Sequence, residues 1–211
     1  MLVKTLASFR EFLKTGILGP MQPRLTMLDV VARLGAPSNF VTGSNGDVPV
    51  YWCYGKLEIQ FDVDVPHRTN WFQLEWAGYL EGDFEILTSN LVIALDGFTG
   101  STTPLGFLSA DLWHPSDVTV HFVEIAGDIT VQLSVRTVQL IFRVDQSFLH
   151  DQEAVIYLAK NAITDIVRDI DSHCELDSIY SHSSEQEAEE SNRRARRQIS
   201  GDGYISALAG S

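Results

Sequence analysis

Apolar and polar residues alternate along residues 56–64 (KLEIQFDVD). Leu57, Ile59, Phe61 and Val63 share one side of a strand, while Glu58, Gln60, Asp62 and Asp64 take the other. The pattern returns without a gap at residues 137–145 (TVQLIFRVD), 81 positions further on. There Val138, Leu140, Phe142 and Val144 stand where the four apolar residues stood, and Asp145 stands where Asp64 did. Gly46-Asp47 and Gly127-Asp128 match at the same offset. A repeat of this kind predicts two related α/β units side by side.

The remaining periodicities fill in the plan. Leu2, Leu6, Phe9 and Leu13 form one stripe of a helix that Gly16 can end. Thr26 and Asp29 have capping-box spacing, and Val30, Val31 and Leu34 give the helix an apolar face until Gly35 and Pro37 stop it. Residues 43–47 read as a turn around Asn45-Gly46, and residues 50–54, 56–64 and 71–76 as strands, with Gly55 breaking the first two. In the second half, residues 84–95 read as one or two strands and 105–112 as a reduced counterpart of the capped helix. Residues 118–125 and 129–144 are strongly β-like. Val155, Leu158, Ala162, Ile166 and Ile170 restore helical spacing behind Asp151 as N-cap. From residue 172 the chain carries too little apolar surface to pack. It reads as a polar tail, helical in part through Glu189/Arg193 and Glu190/Arg194, or disordered.

The expected fold class is therefore α+β. Residues 1–80 form a first repeat and 81–150 a second, degenerate one, each with helices packed on an antiparallel sheet. A C-terminal helix (151–171) and the tail (172–211) follow.

Charge narrows the choice of partner. The 211 residues carry a net charge of -13, and between Lys56 and Asp96 eight acids stand against Lys56 and Arg68 alone. Such a field repels nucleic acid and favours a basic protein, although acidity also serves plain solubility. Cys53 and Cys174 are too few for a disulfide framework and wrongly spaced for zinc. Arg10, Glu11 and Lys14 interrupt the N-terminal apolars, so no signal-peptide core and no membrane span is expected, and a cytoplasmic location is.

Chemistry is harder to find. The chain has no Gly-rich phosphate loop, no GxSxG elbow and no HExxH, so no cofactor, metal or enzyme activity is expected. His67, His114 and His121 are dispersed. Cys53, between Trp52 and Tyr54, is a nucleophile candidate, but a strand cysteine is more often an inert small hydrophobe. Asp62 and Asp64, at i and i+2, have the spacing for a divalent metal and with a histidine would make the competing enzyme reading. The same spacing follows from alternation alone. Residues 193–197 (RRARR) fit a nuclear signal, a protease site or an anionic-surface tether, against local pairing with the acidic run beside them.

The outward strand face is more informative. The first repeat is acidic there, whereas the second places Thr137, Gln139, Ile141 and Arg143 at the matching positions. Trp71, Gln73 and Glu75 share one side of the next strand, opposite Phe72, Leu74 and Trp76. Glu58, Asp62, Asp64, Trp71 and Glu75 are thus the candidate partner-binding residues, because aromatics flanked by carboxylates anchor Arg- and Lys-rich partners.

A short helix, a capped helix ending in Leu34-Gly35-x-Pro37, a Trp52-x-Tyr54-Gly55 strand and then Leu57 to Phe61 resemble a known module. It is shared by the small outer-membrane assembly lipoproteins (SmpA/BamE-like) and the β-lactamase inhibitor protein. The resemblance covers roughly residues 1–150. In the inhibitor, two helix–helix–sheet units stand in tandem and grip a protein with a concave sheet. The resemblance therefore implies binding by a sheet face. Target and location do not carry over, since the lipobox cysteine, signal peptide and paired disulfides are missing. The expected function is non-enzymatic protein binding, as an immunity or inhibitor protein that neutralises a basic toxin or effector. The alternative is a structural or adaptor subunit docking through residues 151–211.

Overall fold

A computed structural model describes residues 4–43, 49–149 and 152–210. The expected Asn45-Gly46 turn, the Gly46-Asp47 half of the repeat and the expected N-cap Asp151 lie outside these residues.

Ser8 redirects the N-terminal segment. Its hydroxyl accepts the Glu11 N–H at 3.1 Å, so the helix begins at Phe9 (α1, Phe9–Thr15) and buries Phe9, Phe12 and Leu13. Residues expected in that helix form a strand instead (β1, Thr5–Ser8), and Leu6 faces solvent. Gly16 ends α1 in the left-handed region (φ 72), where a Cβ would sit 2.8 Å from Ser181 Oγ. The capping box is present at α2 (Met27–Leu34). Thr26 Oγ1 accepts the Asp29 N–H at 3.2 Å, and Asp29 Oδ2 accepts the Thr26 N–H at 3.0 Å.

Four strands follow: β2 (Asn39–Thr42), β3 (Pro49–Tyr54), β4 (Leu57–Phe61) and β5 (Thr69–Leu74). The buried Tyr54 hydroxyl donates to the Gly35 carbonyl at 2.9 Å, tying the Trp52-x-Tyr54-Gly55 strand to the end of α2. The chain then leaves the large sheet. β6 (Phe84–Ile86) and β7 (Leu91–Ala94) join β1 in a three-stranded sheet, order β1-β7-β6, with β1 and β7 parallel. After α3 (Pro104–Leu108) it returns as β8 (Thr119–Ile125), β9 (Asp128–Val135) and β10 (Val138–Val144). Helices α4 (Ala154–Lys160) and α5 (Ile163–Ile170) lead to β11 (Cys174–His182), α6 (Glu185–Ser191), β12 (Ala195–Ser200) and α7 (Gly201–Ala209).

The fold is α+β. Its large sheet is antiparallel throughout, in the order β12-β8-β9-β10-β11-β5-β4-β3-β2. Strands β2 to β5 and β8 to β11 each pair in chain order, and the two runs meet where β5 pairs with β11. The repeated strands β4 and β10 each hold the third place in their run. Leu57, Ile59, Phe61, Val138, Leu140 and Phe142 are all buried on one face. Phe12 of α1 stacks on Phe72 of β5 (centroids 5.7 Å), and Phe107 of α3 meets Phe142 of β10 edge-on (5.8 Å).

The C-terminal reading is corrected in two places. The helix expected over residues 151–171 is broken, because Asn161 and Ala162 are extended (ψ 151 and 147). The freed α4 carbonyls are taken by side chains: Asn161 Nδ2 donates to the Tyr157 carbonyl at 3.0 Å, and Arg197 Nη1 to that of Leu158 at 3.0 Å. The polar tail is also part of the fold. β11 lies between β10 and β5, with Leu176 and Ile179 fully buried. A bulge opposite Ile141 and Phe142 takes Asp177 out of the alternation, which hides the strand from a period-2 reading. Three arginines of the run 193–197 are engaged: Arg193 pairs with Glu190 (3.0 Å), Arg196 with Glu124 (3.6 Å), and Arg197 caps α4.

Tyr204 of α7, fully buried, donates its hydroxyl to Asp171 Oδ1 at 2.9 Å, and the same oxygen accepts the Leu105 N–H of α3 at 3.0 Å. Tyr204→Ala is expected to cost about 3–5 kcal/mol, measured by urea unfolding. A chain ending at residue 172 is expected to show no cooperative transition at all. Cooperative unfolding of that truncation would refute the central role given to β11.

Candidate partner-binding face

The face of the large sheet turned away from α1 and α3 is divided in two. Over β9 and β10 it is covered by α6. There Asn192 Nδ2 donates to Ser134 Oγ (3.0 Å), Gln139 Nε2 donates to Asn192 Oδ1 (2.6 Å), and Ala188 is buried. Between α6 and strands β8, β9 and β12 lies a cleft of about 450 Å³ that His121 lines. Over β3, β4, β5 and the adjoining part of β11 it carries an aromatic row. Tyr51 lies 5.5 Å from Trp71, Trp71 5.3 Å from Tyr180 edge-on, and Tyr180 stacks on His182 at 5.7 Å.

Register explains how this row meets the acids. On β4 and β5, Glu58 stands opposite Gln73, and Gln60 opposite Trp71; across the junction Gln73 stands opposite Tyr180, and Trp71 opposite His182. Gln73 Nε2 donates to Glu58 Oε2 at 3.0 Å and to Glu75 Oε1 at 2.9 Å. Burial, and then the adjoining Glu58 carboxylate, push the Glu75 carboxyl above the ordinary range. Burial and the nearby Glu75, Glu58 and Asp177 raise the Tyr180 phenol to about 12. Among the described residues no Lys or Arg pairs with Glu58 or Glu75. Arg143 serves Asp177 (3.1 Å) and Glu175 (3.6 Å) instead.

Of the five residues expected at the site, the sheet brings together Glu58, Trp71 and Glu75. Asp62 and Asp64 are elsewhere. β4 ends at Phe61, where its pairing with β5 shifts register, and both aspartates lie in the turn before β5. Val63, expected on the apolar face, is 74% exposed there. The turn is held by backbone: Asp62 N–H to the Arg68 carbonyl (2.8 Å) and His67 N–H to the Asp64 carbonyl (2.7 Å). Among the described residues no group of three or more His, Cys, Asp or Glu is placed to hold a metal ion.

The other candidates are dispersed in the fold. His67 Nδ1 lies 3.1 Å from the Asp62 carbonyl, His114 Nδ1 2.6 Å from Ser116 Oγ, and His121 sits on β8 with its charged form disfavoured by burial. The Cys53 thiol donates to Glu58 Oε1 at 3.6 Å; burial and that carboxylate push it up, the opposite of an activated nucleophile.

Three participants escaped the sequence reading. Tyr180 and Asp177 lay in the supposed tail. Alternation puts Trp76 opposite Trp71, but β5 stops at Leu74 and Trp76 adopts φ 56, leaving it 59% exposed. Gly78, two residues on, packs backbone to backbone: its own Cβ would lie 2.8 Å from the Leu176 carbonyl, and one on Gly100 2.0 Å from the Gly78 carbonyl. This clamp fixes the segment bearing Trp76 against β11, beside Asp177.

The comparisons with known proteins return nothing. No family model, curated protein or solved structure matches the chain. No helix among the described residues is long and apolar enough to cross a membrane.

His182, 5% exposed, keeps Nε2 buried without a partner, and burial lowers its imidazole to about 4. The unfolded chain binds this proton below about pH 6.5 and the folded chain only near 4, so stability is full above 6.5 and falls as pH drops through that window. The loss is on the order of 3 kcal/mol by pH 4. His182→Phe keeps the stacking on Tyr180 and is expected to remove this share of the pH dependence. Urea midpoints between pH 4 and 7 test it, and parallel curves for both proteins would refute it.

Proposed function

We propose that the protein binds another protein stoichiometrically through the aromatic part of the outer face of its large sheet, and that the partner is basic. One observation carries the reading: Glu58 and Glu75, with no cationic partner among the described residues, stand beside the aromatic row Tyr51–Trp71–Tyr180 on the outer face of the sheet. Burial and the adjoining Glu58 raise the Glu75 carboxyl, which a nearby positive charge would offset, and the rings supply contact area. The resemblance to the tandem inhibitor supports the same mode of action. It also supports reading the β2–β5 and β8–β11 runs as two related units joined at β5 and β11. In the cytosol such a surface suits an immunity or inhibitor protein, because a negative face speeds capture of a basic toxin.

The test uses point variants, since deleting residues 172–211 removes two strands of the large sheet. The proteins captured by the wild type are compared with those captured by Trp71→Ala and by Glu58→Gln/Glu75→Gln. The reading expects a cationic protein retained by the wild type and lost from the variants. Trp71→Ala should weaken binding by at least about 2 kcal/mol, chiefly through faster dissociation. The double Gln variant should slow association, as should raising salt from about 0.05 to 0.5 M, by about tenfold. A partner held equally by all forms, and indifferent to salt, would overturn the proposal.

A further inference from the structure

We infer that the depression between Trp76 and Asp177 is the seat of a single arginine side chain from the partner, an inference that rests on the sheet-face reading above. The depression encloses about 200 Å³ and is lined by Gln73, Glu75, Trp76, Asp177, Ser178 and Tyr180. Its polar equipment consists mainly of acceptors. Glu75 brings a carboxylate from just beyond the end of β5, and Asp177 brings one from the bulge of β11. Gln73, 4% exposed, has Nε2 committed to Glu58 and Glu75, while its carbonyl Oε1 is buried without a donor. A buried acceptor left unpaired is costly, and a donor-only group answers it. Among the described residues Arg143 is the one cation paired to a lining residue, and it is divided between Asp177 and Glu175.

The wall chooses between the two donor-only side chains. Trp76 presents an exposed indole beside the carboxylates, held there by its left-handed backbone (φ 56) and by the Gly78–Gly100–Leu176 clamp. A planar guanidinium stacks on an indole while its edge donates to several acceptors at once. An ammonium is a compact, strongly hydrated point charge and does this poorly. The arginine stacks on Trp76 and donates to Glu75 and Asp177, displacing Arg143 from Asp177 toward Glu175.

The test titrates the full chain with arginine amide and, separately, lysine amide, following the four indole N–H signals by NMR. Arginine amide is expected to shift the Trp76 signal saturably, several-fold more tightly than lysine amide. Glu75→Gln should weaken it about tenfold, and in Trp76→Ala the Gln73 side-chain amide signals, which arginine amide shifts in the wild type, should no longer respond, with the thermal midpoint kept because Trp76 is exposed. Equal binding of both amides, or shifts that do not saturate at Trp76, would overturn the arginine seat. Partner binding that is lost in Trp71→Ala but unchanged in Trp76→Ala and Glu75→Gln would overturn the seat while leaving the sheet-face reading standing. Indifference to all three would remove both.

Discussion

The antiparallel pairing of β11 with β5 is the contact on which the large sheet depends. Residues 179–182 stand opposite residues 71–74, and without them the β2–β5 and β8–β10 strands would expose two facing edges. The inner side of the junction is apolar where Leu74 meets Ile179, but polar where Phe72 meets Ser181. Ser181 is accommodated because its hydroxyl donates to the Gly16 carbonyl at 2.8 Å, at the end of α1. One hydrogen bond therefore ties the junction strand β11 to the first helix, across 165 positions of sequence. A contact of that span closes late in folding and fixes the outer face only once it has formed.

The parts of the fold legible in the sequence are those whose signals are local. Thr26 and Asp29 announce α2 because a capping box lies within one turn, and residues 57–61 announce β4 because their alternation is unbroken. β11 failed both tests. Its apolar side is reduced to Cys174, Leu176 and Ile179, the bulge at Asp177 breaks the period, and Ser178, Ser181 and His182 are buried polar residues that composition assigns to solvent. A central strand of an antiparallel sheet needs only one apolar face, and here the other face is polar by position rather than by exposure.

The candidate site divides along the same line. Glu58, Trp71 and Glu75 were legible because alternation within one hairpin determines which side they share. Asp62 and Asp64 were misplaced because alternation says nothing about where a strand ends, and the register shift at Phe61 ends β4 before them. Trp76 turns on a backbone choice that no side-chain pattern reveals. Tyr180 and Asp177 reach the site only through the β5–β11 junction, a pairing more than 100 positions apart that a single chain does not advertise.

Among the described residues, the three buried side-chain polar atoms without partners, Gln73 Oε1, His121 Nδ1 and His182 Nε2, all lie on the outward side of the large sheet. Random imperfections of packing would scatter over both faces. The inner face satisfies its buried polar groups: Ser181 donates to Gly16, Thr69 to the Leu25 carbonyl at 3.0 Å, and Tyr204 to Asp171. Each unpaired group on the outer face costs on the order of 1–3 kcal/mol, which the well-packed inner face must offset. Among them Gln73 is set between two carboxylates, so no rotation of its amide improves its position: turning Oε1 toward Glu58 or Glu75 would trade two good hydrogen bonds for two repulsive contacts. The arrangement is thus locked in an acceptor-rich state by its own hydrogen bonds. On the proposed reading, that fixed deficit of donors is what an incoming cation meets, and Arg143 is the group that shifts to admit it.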